Sequence, residues 1–508
     1  MAWQVLLRKA LLSLAILLGV VISGPVYCEE YYVDGNSGND VGAGTYEDPW
    51  RTITHAVSQA SETDTVYVKH ATYHESVSLT SVAKSSINLI GMANGGAKPI
   101  ICSPDPNIHT VSLTNYGGTI EGMEITGASD ANGINCIASN SGTCSPQITA
   151  CKIYGNNVGI HMTTVDSTDD CSPYIYKNVI YSNTTRGIGN MMYSSPTIEG
   201  NYIYKNGSGS VGHGGICNRD NSTAAIINNV IYENDHTGIS IRDNGNPKII
   251  NDTITGHNAT DPLSAAIKVN QNKGISSLLI VNNIITHNKY GLVSQFSQPC
   301  SGNDYNDVWN NFLSSYVGFT KQLNDISADP RFVDPEDGDY HLQRGSACID
   351  AGTSLGAPDR DMDGDSRPKG AGYDLGAYEY AKDDGGGDDG GGGGGGCFVA
   401  TAAFGSPIEQ HVTILKNFRD KYILPYAFGR IFVGIYYKYS PPLAHFMAKY
   451  ATLRAVMRIG LIPLFAISYS MLHFGPVITF TMLMVLLAIP IFLVSCYRRK
   501  ASRYRPNS

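Results

Sequence analysis

Several common signatures are missing from this 508-residue chain, and each gap removes a class of function. No basic stripe interleaved with aromatic side chains appears, and the formal charge is -8, so a nucleic-acid surface is not expected. The cysteines and histidines show no zinc-type spacing. No glycine-rich loop follows a strand to open a helix, so the phosphate cradle of a nucleotide site is lacking. Between about Gly122 and Leu292, no segment carries ten or more residues of 3.6-residue apolar period. A helical repeat is thereby excluded from the middle of the chain.

What fills that stretch is a recurrence built on isoleucine: Ile125-Thr126, Ile153-Tyr154, Ile180-Tyr181, Ile203-Tyr204, Ile231-Tyr232, Ile254-Thr255 and Ile285-Thr286. Successive isoleucines are 28, 27, 23, 28, 23 and 31 residues apart. Two positions earlier stands Asn178, Asn201, Asn229 or Asn283, with Asp252 as a variant. Three positions later stands Asn156, Asn183, Asn206, Asn234 or Asn288. A small residue followed by an aliphatic one then marks each unit, as in Gly187-Ile188 and Gly215-Ile216. A period of this length signals a solenoid. The segments are short, β-rich and separated by Gly, Asn, Asp and Ser, which fits three strands and three corners per coil. Equivalent strands would then pair one turn apart, roughly 4.8 Å from each other, so that like side chains form ladders.

This recurrence resembles the right-handed parallel β-helix repeat of pectate-lyase-like proteins. The fold class expected is all-β: a single-stranded right-handed parallel β-helix solenoid, followed by a small α-helical C-terminal module and a transmembrane helix. A bacterial, exported protein is implied. Residues 1–28 read as a signal peptide, with Arg8 and Lys9 ahead of an apolar run and Ser23-Gly24-Pro25 behind it. The β-helix with its N-terminal cap spans 29–327, where Ile53, Ala56, Val57 and Ala60 carry the spacing of a short cap helix. His55, His70, His74 and Glu75 are expected to serve that cap.

Residues 328–380 read as a C-terminal closing segment, and 381–396, made of Lys, Asp and Gly only from 382 on, as a flexible linker. The run from Cys397 through Phe398, Val399, Ala400 and Thr401 resembles the start of the CFI-box C-terminal domain of bacterial surface proteins, which covers 397–456. The apolar segment 457–475 is expected to be interfacial or re-entrant, and 476–497 long enough to cross a bilayer. The basic tail 498–508, with Arg498, Arg499 and Lys500, favours a cytoplasmic C-terminus and an extracytoplasmic solenoid.

Three groups of residues are candidates for chemistry. His213 with Arg219 and Asp220, and His236 with Arg242 and Asp243, are offset by 23 residues and should stack on consecutive coils. They read either as a catalytic face or as surface ladders pairing in water. In a lyase an Arg abstracts a proton beside a uronate carboxylate; in a hydrolase two carboxylates flank the glycosidic bond. Asp359, Asp361, Asp363 and Asp365 alternate around Gly364 like the start of a structural Ca2+ loop, although Gly370 stands where an EF-hand needs Glu. Cys144 and Cys171 each precede Ser-Pro, 27 residues apart, and are expected on adjacent rungs as a disulfide or as two ladder thiols. His161, His257 and His287 are expected as isolated ladder or corner residues.

The function expected is binding of cell-surface or environmental polysaccharide by a membrane-anchored surface protein. A polysaccharide lyase, epimerase or glycoside hydrolase acting on an acidic glycan is the alternative. A further alternative makes the C-terminal region a sorting signal processed near Cys397.

Overall fold

The structure, a computed structural model, describes residues 28–380 except 81–83, 95, 209–213, 258–263, 271–277 and 296–301, together with 418, 419, 422, 461 and 468–471. The signal peptide through residue 27, the linker, Cys397, the 476–497 span and the basic tail lie outside the described residues, and so does nearly all of 397–475. Among the described residues, no helix is long and apolar enough to cross a membrane.

Three parallel sheets, here A, B and C, are each wound from one strand per coil. Sheet A has 11 strands, from Glu30–Val33 to Asn303–Asp304. Sheet B has ten, from Thr72–Tyr73 to Asp307–Trp309, and sheet C ten, from Val77–Leu79 to Ser314–Val317. One coil thus runs Thr197–Glu199 in A, Tyr202–Tyr204 in B and Gly214–Asn218 in C. The middle residue of each short A or B strand points inward. Stacking these residues gives the columns Ile148, Ile175, Ile198, Ile226, Ile249 and Ile280 in A, and Ile153, Ile180, Ile203, Ile231, Ile254 and Ile285 in B. Sheet C supplies Ile134, Ile160, Ile188, Ile216, Ile239 and Ile267, and all three columns are fully buried.

The corners explain the asparagines. Between sheets A and B, and again between B and C, the chain turns on one residue of positive φ. Lys177, Ser182, Lys205, Asn228, Glu233, Asn251 and Asn282 are such residues, with φ between 51° and 56° except Asn282 at 59° and Glu233 at 50°. That backbone costs a non-glycine residue roughly 1 kcal/mol. The next residue turns its side chain inward and repays the cost along the axis. At the B/C corner Asn156, Asn183, Asn206 and Asn234 form one column, each accepting through Oδ1 from the backbone N–H of its predecessor. At the A/B corner Asn178, Asn201, Asn229, Asp252, Asn283 and Asn306 do the same. The asparagines at 183, 206 and 234 are therefore aligned one above another.

The N-terminal end is closed by α1, Ile53–Gln59, which buries Ile53, Ala56 and Val57. Thr52 caps it by accepting from His55 N, and Glu75 accepts from Ile53 N and Thr54 N at 3.0 and 2.8 Å. Glu75 is thus a capping residue.

The chain divides into two compact units, and 328–380 is shared between them. Residues 351–367 and 373–378 belong to the solenoid unit. They form a strap along the outside of the A/B corner. Asn228 Nδ2 donates to Arg360 O, Asn251 Nδ2 to Asp374 O, and Asn282 Nδ2 to Thr353 O. Tyr378 OH meets Tyr202 OH at 2.6 Å. Each corner Asn pair is split by role: the first residue faces the strap and the second enters the ladder. In the other unit, Phe332–Asp334 pairs antiparallel with Asp339–Leu342.

Candidate functional site

Sheet C has the longest strands, five to seven residues at Asn132–Ala138, Val158–Thr164, Arg186–Asn190, Gly214–Asn218 and Thr237–Arg242. It therefore offers the widest outer face. One outward row, fixed by register, reads Ser112, Asn135, His161, Gly189, Cys217, Ser240 and Lys268. Asn218 pairs with Ile241, so Arg219 and Arg242, one residue further on, stand on adjacent rungs. Arg186 opens the preceding strand and lies back across Gly189. A Cβ on Gly189 would come within 3.2 Å of Arg186 Cδ and 3.6 Å of His161 Cδ2, so the missing side chain makes the room.

The arginine side chains and a histidine converge there. Burial pulls the Arg186 guanidinium below its usual range, and the charges of Arg219 and Arg242 add to the effect. Its side chain hydrogen-bonds buried Cys217. Arg186 Nε and Nη1 are buried and have no hydrogen-bond partner among the described residues. Burial likewise pushes His161 down to about 4, with help from Arg186, His109 and Arg219. At neutral pH this ring is uncharged. Its Nδ1 is 3.0 Å from Asn135 Oδ1, which as acceptor places the proton on Nδ1 and leaves a lone pair on Nε2. Arg219 is raised instead, chiefly by its hydrogen bond to Asp220, with Nε to Oδ2 at 2.6 Å.

Of the sequence candidates, Arg219, Asp220, Arg242 and Asp243 do gather on consecutive rungs. Asn244 Nδ2 donates to Asn221 Oδ1 at 3.2 Å, and Asn221 N to Asp243 O at 3.0 Å, so the two turns stack. His236 precedes the strand that Arg242 ends, so their backbones stand about 20 Å apart at the usual rise. His213 lies outside the described residues. The residues not anticipated are Arg186, Cys217 and the role of His161. They occupy different positions within their coils, so no repeat pattern links them. The available signal was Gly189, the one position without a side chain in the row from Ser112 to Lys268.

Cys144 and Cys171 are register partners on adjacent rungs. The two are not bridged in this structure, where Cys144 has side-chain hydrogen bonds with Cys171 and with a third buried cysteine, Cys136. In the acidic loop, Asp361 is buried and accepts from Asp365 N at 2.8 Å. Arg360 Nη1 donates to Gly364 O at 2.7 Å, placing a cation where a calcium loop would offer an oxygen. Among the described residues, no group of three His, Cys, Asp or Glu is placed to hold a metal ion.

The architecture and its outer face define a class: a right-handed parallel β-helix. Residues 132–313 match the family described as "Right handed beta helix region". No curated protein matches the chain. Among solved structures, it is similar to pectate lyase Pel9A at 16% identity and TM-score 0.45, over 70% of this chain and 97% of that one. It is similar to a rhamnogalacturonan lyase at 14% identity and TM-score 0.31, over 66% and 94% of the two chains. A pectin methylesterase from Aspergillus niger aligns at 12% identity and TM-score 0.32, over 61% and 94%.

Proposed function

We propose that this is an exported β-helix protein that binds an acidic polysaccharide along the outer face of sheet C. On this reading 1–28 directs export, 476–497 anchors the chain and the CFI-box-like region 397–456 lies between anchor and linker. The observation that carries the proposal is the stack of Arg219 and Arg242 beside Arg186, on a face whose outward row also carries Ser112, Asn135, His161, Ser240 and Lys268. Consecutive rungs repeat at about 4.8 Å, which lets an extended chain meet the same face again and again. Opposite charges fix register and speed encounter.

Titration of the purified full chain against matched acidic and neutral polysaccharides tests this. Acidic chains should bind more tightly, and the preference should shrink in Arg219→Ala with Arg242→Ala. Equal binding of neutral and acidic chains would end the reading. Peptide masses from unreduced protein test the companion proposal of a Cys144–Cys171 bridge. The mass of the mature C-terminus tests processing near Cys397, because an intact Arg505 in surface material rules it out.

A second reading, cleavage of the acidic chain, is favoured by the uncharged His161 with its Nε2 lone pair beside arginines. That arrangement suits proton abstraction next to a carboxylate held by Arg. Unsaturated product that disappears in Arg219→Ala or Arg242→Ala would support it; binding without product supports the first reading. His213, Asp220, His236 and Asp243 enter as contacts along the same face.

A further inference from the structure

We propose that Arg186, lying across Gly189 between His161 and Cys217, forms with Arg219 and Arg242 a seat for a single oxyanion. The anion is a carboxylate or a sulfate group carried by the bound glycan. The inference rests on the polysaccharide reading and sharpens it, because it names the chemical group recognised and the residue that grips it.

Four observations converge. Arg186 holds two N–H-bearing nitrogens, Nε and Nη1, in a buried position without a partner among the described residues. Buried donors of this kind are nearly always satisfied, and a buried guanidinium left open is costly unless something meets it. The planar guanidinium has two donor edges, Nε with Nη2 and Nη1 with Nη2, and either edge matches two oxygens of one oxyanion. The neighbourhood keeps a net positive charge, since Asp220 is already engaged by Arg219 at 2.6 Å and Asp243 is exposed beyond it. Finally, Gly189 provides the floor, because any side chain there would meet Arg186 Cδ at 3.2 Å.

The seat is coupled to a proton. His161 faces His109, Arg186 and Arg219, and hydrogen-bonds Asn135. An anion lying between these cations relieves the repulsion that disfavours a charged imidazole. Once protonated, Nε2 becomes a donor toward the same oxyanion. Binding therefore takes up protons as pH falls toward 4, and it tightens in that direction while the ligand stays ionised.

The test uses the full chain, a uronic-acid oligomer, a sulfated oligomer of neutral sugars, and free acetate and sulfate. Arg186→Gln should weaken the acidic oligomer by roughly 10- to 100-fold, the loss of charge-assisted bonds to one group. Arg186→Lys should recover little, since a point charge lacks the fork. Gly189→Val should act like Arg186→Gln by filling the floor, with an unchanged melting curve showing that the coils persist. The uronate and sulfated arms identify which group is taken. Acidic-glycan binding unaltered by both Arg186→Gln and Gly189→Val overturns the seat and leaves the polysaccharide reading standing. If no glycan binds at all, that reading falls, and a shift of the Arg186 Nε resonance on adding acetate or sulfate still decides the seat. Binding that takes up no proton at pH 5, or a His161→Gln variant with the same uptake, removes the coupling.

Discussion

Asn206, inside the B/C corner, gives its backbone N–H and Nδ2 to Asn234 and takes the equivalent pair from Asn183. Its Nδ2 also reaches the carbonyl oxygens of Ile180 and Tyr204. Arg186, which opens the neighbouring strand of sheet C, leaves two buried nitrogens without a partner among the described residues. Both are polar groups removed from water in the same stack of coils. One network is closed by the protein itself and the other is left open. The difference separates polarity that holds the fold from polarity held ready for a ligand.

The most damaging way to probe this contrast is Asn206→Ala. It removes the acceptor of Asn183 N and takes one partner each from Asn183 Nδ2 and Asn234 Oδ1, inside a dry corner. With the orphaned N–H costing about 1–3 kcal/mol and the cavity adding about 1 more, the loss should be on the order of 3 kcal/mol, seen in urea unfolding. A change under about 1 kcal/mol would mean that the ladder is ornament, and the contrast with Arg186 would collapse.

The ladders carry two substitutions that sharpen the comparison through pH. Asp252 stands in the A/B column, where its Oδ2 replaces an amide nitrogen and has no partner among the described residues. Burial raises it to about 7. Because the folded value exceeds the unfolded one, its contribution is complete below about pH 3.8 and is lost as pH climbs toward 7, about 4 kcal/mol at most. His257 stands in the B/C column, accepting at Nδ1 from Asn234 N at 3.1 Å. Burial lowers it to about 4, so its contribution is complete above pH 6.5 and fades as pH falls. The two slopes oppose each other between pH 4 and 6.5. Thermal unfolding of the parent protein should be nearly flat there. Asp252→Asn should leave stability rising with pH and add a few kcal/mol, roughly 2–4, at pH 8. His257→Asn should leave it falling with pH. Parallel slopes in the two variants would contradict the assignment.

How legible these features were in the sequence follows from the same physics. A ladder works only when each coil repeats the residue below it, so Asn183, Asn206 and Asn234 had to recur, and the solenoid could be read directly. Arg219 and Arg242 recur for the same reason, as equivalents on adjacent rungs. Arg186 does not recur. It starts its strand, His161 lies within another, and they meet only because a long side chain bends across a glycine. The strap was hidden more completely, since Arg360, Asp374 and Tyr378 obey no period and find their partners 120 or more residues back.

That strap is the intermediate case, an outer surface finished by the chain's own tail. Val230, Thr253 and Ile284 face outward in register on sheet B, yet all are buried. Tyr378→Phe removes the hydroxyl that meets Tyr202 and should cost about 1 kcal/mol, read from urea midpoints. No loss, with Tyr202→Phe equally silent, would make the strap a bystander.

The smallest stability change is expected where the binding effect is largest. Arg186→Gln removes a buried cation that Arg219 and Arg242 repel and that hydrogen-bonds Cys217. Losing desolvation cost and repulsion should offset the lost packing, leaving unfolding within about 0.5 kcal/mol of the parent, or slightly in the variant's favour. Added sulfate should then raise the melting temperature of the parent more than that of the variant, since only a site that binds the folded state is stabilised by its ligand. If Arg186→Gln instead unfolds the protein as readily as Asn206→Ala, the guanidinium is another closing piece of the fold. The outer face of sheet C would then differ from the ladders in position only, not in purpose.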